Sequence, residues 1–315
     1  MHLPPSLQEK IDQILEKTSP AVLRKARELL SQTYRQINSS QSIFANEEMR
    51  LAYLGARFPA TYASVHYVLS ELLAKTPNFQ CQTILDLGSG PATSTLAAID
   101  LIPEIHRTVL IEKSSEAISL GKQLLTSLPN QEWICKDLKQ VESFCKADLA
   151  ILSYSLGEIK SFDTLLDRLW KTDIYTLVII EPGTPKGYQT ILEARNFFLR
   201  SNAHIVAPCP HAKPCPLKGN DWCHFSTRLE RTKLHRLLKE GTMGFEDEKF
   251  SYLIVSKEPS QQKVEDRILR HPFKGSGHVR LTLCTAEGTL EEKTVSKKDK
   301  EIYRKARDAS WGDSF

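Results

Sequence analysis

Four cysteines fall in the last third of this 315-residue chain: Cys209, Cys215, Cys223 and Cys284. Thiolates are soft ligands, and four on one centre hold either a tetrahedral zinc ion or a cubane iron–sulfur cluster. The pattern Cys209-x5-Cys215-x7-Cys223, with Cys284 far downstream, contains no paired C-x-x-C knuckle of a zinc ribbon. It also lacks a compact C-x3-C-x2-C run. Pro210 and Pro216 each follow a cysteine, as happens near iron–sulfur ligands in ferredoxins. His211 and His224 are alternative ligands for zinc. Spacing alone leaves a cluster, zinc and no metal at all open. The remaining thiols, Cys81, Cys135 and Cys145, are scattered and read as small apolar side chains in the core.

The second chemical signal is Leu85-Asp-Leu-Gly-Ser-Gly-Pro-Ala-Thr93, where Gly88 and Gly90 permit a tight turn and close approach of a ligand to the backbone. Thr93 stands where a dinucleotide fingerprint wants a third Gly or Ala, and Asp86 lies just before the first glycine. Both features favour S-adenosylmethionine over a pyrophosphate-bearing cofactor. Glu112 ends the next apolar run after the glycine loop, where a carboxylate can accept both ribose hydroxyls. Asp137 ends the following run, at the adenine end. The expected cofactor residues are therefore Asp86, Gly88, Gly90, Pro91, Glu112, Asp137 and Ser153. Catalysis stays unassigned. The segment Ser153-Tyr-Ser-Leu-Gly-Glu158 replaces the Asn/Asp-Pro-Pro-aromatic motif of amino-methylating enzymes, and no cysteine is placed to act as a cytosine-5 nucleophile.

The elements that must position these residues follow from periodicity. Leu7, Ile11, Ile14 and Leu15, then Val22, Leu23, Ala26, Leu29 and Leu30, repeat at helical spacing, and further helices are predicted over Asn46 to Phe58 and Pro59 to Lys75. From Thr83 short apolar runs (Thr83 to Leu87, Thr108 to Glu112, Glu132 to Lys136, Leu149 to Tyr154, Leu177 to Glu181) alternate with helix-length segments, the rhythm of a parallel sheet with crossover helices. Beyond Ala203 come a Pro/Cys-rich loop, a helix over Ser226 to Glu240, strands over Phe250 to Ser256 and His278 to Cys284, and a charged, partly helical stretch over Glu291 to Arg307. The organisation is thus an N-terminal helical region (1–78), a Rossmann-like cofactor domain (79–202) and a Cys-rich, basic region (203–315) that partly completes the sheet.

Composition narrows the function further. With 41% hydrophobic and 25% charged residues the chain can bury a core, and disorder is excluded. No apolar run approaches the ~20 residues that cross a bilayer. The opening Met1-His-Leu-Pro-Pro-Ser6 has neither secretory nor transit-peptide character, so cytoplasm is expected. Residues 1–200 carry 21 Lys/Arg against 22 Asp/Glu, and residues 201–315 carry 21 against 16. The whole basic excess of +4 lies in the last third, which suggests a polyanion partner there.

Several segments together resemble the Rsm-type methyltransferase-like family of small-ribosomal-subunit proteins, from about Tyr53 to the end. They are Asp86-Leu-Gly-Ser-Gly-Pro-Ala, Ser153-Tyr-Ser-Leu-Gly-Glu, Glu181-Pro-Gly-Thr-Pro, Cys209-Pro-His with Cys215-Pro, Trp222-Cys-His-Phe-Ser, Gly277-His-Val with Cys284, and Tyr303-Arg-Lys-Ala-Arg with Trp311-Gly-Asp. The resemblance implies a class I S-adenosylmethionine-dependent methyltransferase-like fold. It also implies a 4Fe-4S cluster held by Cys209, Cys215, Cys223 and Cys284 in a C-terminal Cys-rich, cluster-binding extension, and a role in small ribosomal subunit assembly or translation. Without a transit peptide the chain resembles a bacterial relative. The expected partner is small-subunit ribosomal RNA, gripped by Arg228, Arg231, Lys233, Arg236, Lys274, Arg280, Lys297, Lys298, Arg304 and Lys305, with the chain a monomer off the ribosome. The alternatives are an active rRNA methyltransferase using the same pocket, and a redox or metal sensor.

Overall fold

The computed structural model describes residues 1–35, 46–126, 128, 130–239, 241–260, 262 and 265–315. Four helices open the chain: α1 (Pro5–Leu15), α2 (Pro20–Arg35), α3 (Glu47–Ala56) and α4 (Phe58–Lys75). Pro5 occupies the first turn of α1, where its missing N–H is not needed, and Leu7, Ile11 and Leu15 form the buried stripe. Asn46 caps α3 by accepting from the Met49 amide at 2.9 Å, and Glu47 and Glu48 complement the helix dipole. The expected helical region also includes 36–45, which lie outside the described residues. Tyr62 on α4 is fully buried, its hydroxyl donating to Asp100 at 2.8 Å.

The main sheet follows: β1 (Thr83–Leu87), α5 (Thr93–Leu101), β2 (Arg107–Glu112), α6 (Ser115–Leu124), β3 (Asn130–Cys135), β4 (Ala147–Ser153), α7 (Asp163–Lys171), β5 (Ile174–Pro182), α8 (Pro185–Arg200), β6 (His204–Ala207), β7 (Phe225–Glu230), α9 (Lys233–Lys239) and β8 (Phe245–Ser256). Strand order is β3-β2-β1-β4-β5-β8-β6, with β7 also paired to β8. Strands β1 to β5 are parallel, and β8 runs antiparallel to β5, β6 and β7. This is the class I S-adenosylmethionine-dependent methyltransferase-like, Rossmann-like α/β arrangement. Chain order reverses between β1 and β4, so ligands belong at the carboxyl ends of those strands.

Burial on both faces explains the near-continuous apolar runs. Ile84, Leu110, Ile151, Val178 and Ile254 share one core with α4 and α5. The residues between them, Leu85, Val109, Leu152, Ile179 and Val255, share the other with Leu166 of α7 and Phe198 of α8.

A smaller antiparallel sheet closes the chain: β9 (Arg267–Ile268), β10 (Phe273–Lys274), β11 (His278–Cys284) and β12 (Leu290–Ser296), followed by α10 (Lys300–Asp308). Val279, Leu281, Leu283 and Val295 point inward and pack with Ile268, Ala306 and Ala309. Arg267, 3% exposed, rivets this unit to the rest: it pairs with Glu71 of α4 at 2.8 Å and donates to the carbonyls of Pro208 and Gly312.

One element expectation needs correction. The helix expected over Ser226 to Glu240 is a strand over Phe225–Glu230 and a helix only from Lys233; Glu240 lies outside the described residues. Phe225, Thr227 and Leu229 alternate, and pairing with β8 across Phe225↔Phe250 to Glu230↔Phe245 decides the outcome. The charged stretch from Glu291 is partly helical, as expected: strand β12, paired with β11 along its length, is followed by α10. Among the described residues no helix is long and apolar enough to cross a membrane.

Candidate functional site

The loop between β1 and α5 is built for close backbone approach. Gly88 and Gly90 have φ of +71° and +52°, a region open to glycine without steric cost. A Cβ on Gly88 would lie 2.7 Å from that of Ser155. The Gly88 and Ser89 amides donate to the Ile111 carbonyl at 2.8 and 3.2 Å, tying the loop to β2. Glu112, 7% exposed, stands at the end of β2. Its two oxygens accept from the Gly90 amide at 3.0 Å and the Ser114 amide at 2.9 Å. Burial pushes its carboxyl above the usual range, while those two amides pull it back. Each oxygen retains a lone pair for a hydroxyl. The Ser89 and Ser153 hydroxyls are buried without a partner, a state that an added polar ligand relieves.

Other expected members stand differently. Asp86, 1% exposed, accepts from the Thr95 hydroxyl at 2.7 Å and the Thr95 amide at 3.2 Å. It braces the start of α5 from beneath the loop, and burial pushes its carboxyl up to about 7. Pro91 packs its backbone against Gly121 of α6. Asp137 caps a short 3-10 turn through the Lys139 amide at 2.9 Å and stays partly exposed.

The segment after β4, where methyltransferases often place reacting groups, is held on all sides. Ser155 donates to the Leu87 carbonyl at 2.9 Å, and Glu181 accepts from the Gly157 amide at 2.9 Å. Glu181 is 4% exposed and pushed up to about 7 by burial. Tyr154 adopts φ +55°, costly for a bulky residue. Its hydroxyl donates to Glu248 at 3.0 Å, and Arg57 pairs with the same carboxylate at 2.8 Å while lying 4.8 Å from the Tyr154 ring centroid.

A second site lies where α8, the loop after β6 and the end of β11 meet. Cys209, Cys215, Cys223 and Cys284 all line one cavity of about 40 Å³, several times what a single water needs. The Tyr188 hydroxyl lies 3.2 Å from Cys215 Sγ, Arg195 Nε donates to Cys209 Sγ at 3.3 Å, and His211 Nε2 lies 3.4 Å from Cys284 Sγ. Burial pushes the Cys209, Cys223 and Cys284 thiols up, Cys284 to about 12. The four cysteines share one cavity, while among the described residues no three Cys, His, Asp or Glu stand in the arrangement of an ion site. A cubane spreads its thiolates farther apart than a single ion does. Of the alternative zinc ligands, His211 lines the cavity, whereas His224 is stacked on Trp222 at 5.2 Å and meets Trp311 edge-on at 4.8 Å.

Arg195 is the feature that sequence reasoning missed. Only 2% exposed, it donates to the His211 and Lys213 carbonyls at 2.9 and 2.8 Å, and its Nη1 is buried without a partner. Among the described residues no carboxylate pairs with it. A buried cation facing sulfurs matches an anionic centre in the cavity. An arginine on a helix well before Cys209 reads as solvated, so periodicity gave no signal. Of the scattered thiols, Cys81 is buried as expected, whereas Cys145 is half-buried and Cys135 exposed, the last because it ends β3 at the sheet edge.

The expected phosphate contacts divide likewise. Arg231 pairs with Glu246 at 2.7 Å, half-hidden with a side chain 14% exposed; Arg228 forms a two-armed pair with Asp247, and Lys305 pairs with Glu265. These three are taken up internally. Lys274, Arg280, Lys297, Lys298 and Arg304 are exposed on the small sheet and α10, and Lys233 and Arg236 lie on α9.

With this geometry in hand, the relatives are informative. Residues 47–315 match the family model described as mitochondrial small ribosomal subunit Rsm22. The chain is 28% identical to the human mitochondrial ribosome assembly protein METTL17 over 96% of its own length and 69% of that protein. It is 23% identical to the ribosome assembly protein RSM22 of Saccharomyces cerevisiae, covering 91% of this chain and 70% of that one. Among solved structures, the magnesium protoporphyrin IX methyltransferase of Synechocystis, with bound S-adenosylmethionine, aligns at TM-score 0.41 and 13% identity, over 72% of this chain and 90% of that one. The expectation of a cytoplasmic protein is overturned: the human, fission yeast and budding yeast relatives are all described as mitochondrial. It had rested on the opening residues, whose composition carries no information on compartment.

Proposed function

Because the chain belongs to the Rsm22 family, with a match that spans both the glycine loop and all four cavity cysteines, we propose that it is an assembly factor of the small ribosomal subunit. That match carries the conclusion, and the names of the human and budding yeast relatives support it. In this reading residues 79–202 hold S-adenosylmethionine, residues 203–315 hold an iron–sulfur cluster and contact small-subunit ribosomal RNA, and residues 1–78 cover the sheet.

For S-adenosylmethionine, the Gly88–Gly90 backbone and the Ser89 and Ser153 hydroxyls would hold the amino-acid portion, and Glu112 the ribose. Asp137 serves the adenine end, while Asp86 and Pro91 keep the loop in shape. A bound S-adenosylmethionine supplies an electrophilic methyl group. For the cluster, Cys209, Cys215, Cys223 and Cys284 would be the ligands, with Arg195 balancing their charge. The cluster supplies a rigid anionic centre that crosslinks the loop after β6 to β11. The void among the sulfurs and their spread around it favour a cubane over one zinc ion.

The test is anaerobic purification with iron, acid-labile sulfide and zinc analysis, followed by sedimentation with purified small subunits. About four iron and four sulfide per chain, with co-sedimentation, is the expected result. Zinc in place of iron overturns the cluster, and failure to sediment with small subunits overturns the assembly role. Transfer of labelled methyl from S-adenosylmethionine to small-subunit RNA would move the chain to the rRNA methyltransferases.

A further inference from the structure

The small sheet has one face packed and one face open. Val279, Leu281, Leu283 and Val295 are buried beneath α10, so the alternate residues of β11 and β12 face away from that core. On the open side stands Phe273, 57% exposed, the most exposed large apolar side chain among the described residues. Directly across the strand pair from it is Arg280, whose guanidinium lies 5.3 Å from the Phe273 ring centroid. His278, on the same face of β11 as Arg280, has its ring 5.9 Å from Phe273. An aromatic ring, a guanidinium and an imidazole are therefore grouped on an open antiparallel sheet.

Basic side chains gather at the hairpin end of the sheet, away from Glu292, which accepts from the Thr282 hydroxyl at 2.6 Å on the same face. Lys274 pairs with the buried Val279 and so belongs to the opposite face, whereas Lys297 is bound through its amide to the Gly277 carbonyl in the hairpin that carries His278. Among the described residues Lys274, Arg280, Lys297 and Lys298 have no acidic partner, in contrast to Arg228, Arg231 and Lys305. Solvating a phenylalanine is unfavourable, and this one sits where no core can reach it. Aromatic and guanidinium planes on an open sheet, with unpaired lysines at its hairpin end, are what unpaired bases and their phosphates require.

We propose that this open face is a binding site for single-stranded RNA, on which an unpaired base stacks against Phe273 and Arg280 while Lys297 and Lys298 take the flanking phosphates. The proposal deepens the assembly-factor reading and rests on it. It adds strand state: the platform selects unpaired segments, because a duplex keeps its base faces stacked inside.

The experiment measures anisotropy of a labelled, unstructured 12-nucleotide RNA and of a 12-base-pair RNA duplex with the full-length protein and its variants. Wild type should prefer the single strand. Phe273→Ala should weaken single-strand binding roughly 5- to 150-fold, with duplex binding and the salt dependence unchanged, and Phe273→Trp should retain it. The Lys297→Ala/Lys298→Ala pair should instead flatten the salt dependence for the single strand by about 1.4 in log–log slope. Because the Phe273 ring is mostly in solvent, thermal unfolding of Phe273→Ala should match wild type, which separates a lost contact from a lost fold. If wild type binds RNA and Phe273→Ala binds the single strand equally well, the platform is overturned while the RNA role stands. A protein partner on this face would give that same result. If wild type binds neither RNA, the RNA role falls and the platform with it.

Discussion

Replacing Asp86 by asparagine tests whether this carboxyl is a strut beneath the glycine loop or a ligand of the cofactor. Asp86 is 1% exposed, and burial raises its carboxyl from the ordinary 3.8 to about 7. Its folded pKa lies above its unfolded one, so between those values the folded chain binds more protons than the unfolded chain. Stability contributed at low pH is therefore lost as pH rises from about 4 to about 7, and is flat above. Three pKa units at about 1.36 kcal/mol each give roughly 4 kcal/mol. Asparagine keeps an oxygen for Thr95 and cannot ionise. Urea unfolding followed by circular dichroism at pH 4.5, 6 and 8 should show wild type losing most of that amount relative to Asp86→Asn. Glu181 titrates in the same window but is present in both proteins and cancels. A stability difference that does not change with pH refutes the reasoning. S-adenosylmethionine binding by the variant should stay within a few-fold of wild type, since Asp86 touches Thr95 and not the open side of the loop.

Glu112→Ala should weaken S-adenosylmethionine by more than about tenfold in calorimetry, because hydrogen bonds to a charged group contribute ~1.5–3 kcal/mol each; equal affinity would remove Glu112 from the site. Cys215→Ser should abolish the brown colour and RNA binding and make residues 203–290 sensitive to protease, while cofactor affinity changes only a few-fold; a resistant, RNA-binding variant would turn the cluster from a staple into a sensor. Wild-type affinity for structured small-subunit RNA should fall steeply between about 50 and 200 mM salt, and a flat response would exclude a footprint of lysines and arginines. Phe198→Ala, which removes a fully buried ring packed 5.2 Å from both Trp170 and Phe197, should cost about 3–5 kcal/mol in urea unfolding.

The parallel strands were legible because burial on both faces leaves runs such as Leu149 to Leu152 and Leu177 to Ile180 with no polar interruption. The glycine loop was legible because positive φ restricts the residue type. Strand β7 was not: Phe225 and Leu229 are also helically spaced, and only the partner strand, further along the chain, separates the two patterns. Convergence of the four cysteines on one cavity accords with their placement in the last third, but their surroundings could not be read. Arg195 and Tyr188 reach the cavity from α8, and no spacing rule links a helix face to a loop it meets in three dimensions. The charge count of the last third likewise hid its own cancellation, since Arg228, Arg231 and Lys305 spend their charge on Asp247, Glu246 and Glu265. The contact of Asp86 with Thr95 had no signal either, because the sequence does not say which way a side chain at a strand end points.

The cavity draws its walls from distant parts of the chain, and this sets a timetable for synthesis. Cys209, Cys215 and Cys223 leave the translating ribosome first, and Cys284 follows only after β7, α9, β8 and most of β11 have been made. At a synthesis rate of about 5–20 residues per second, three thiols wait roughly 3–12 s for the fourth wall. Arg267, which rivets the same region to α4 through Glu71 and to the Gly312 carbonyl, completes its contacts only once Gly312 has been made. Until β11 is made, the first three thiols therefore stand without the wall that Cys284 supplies.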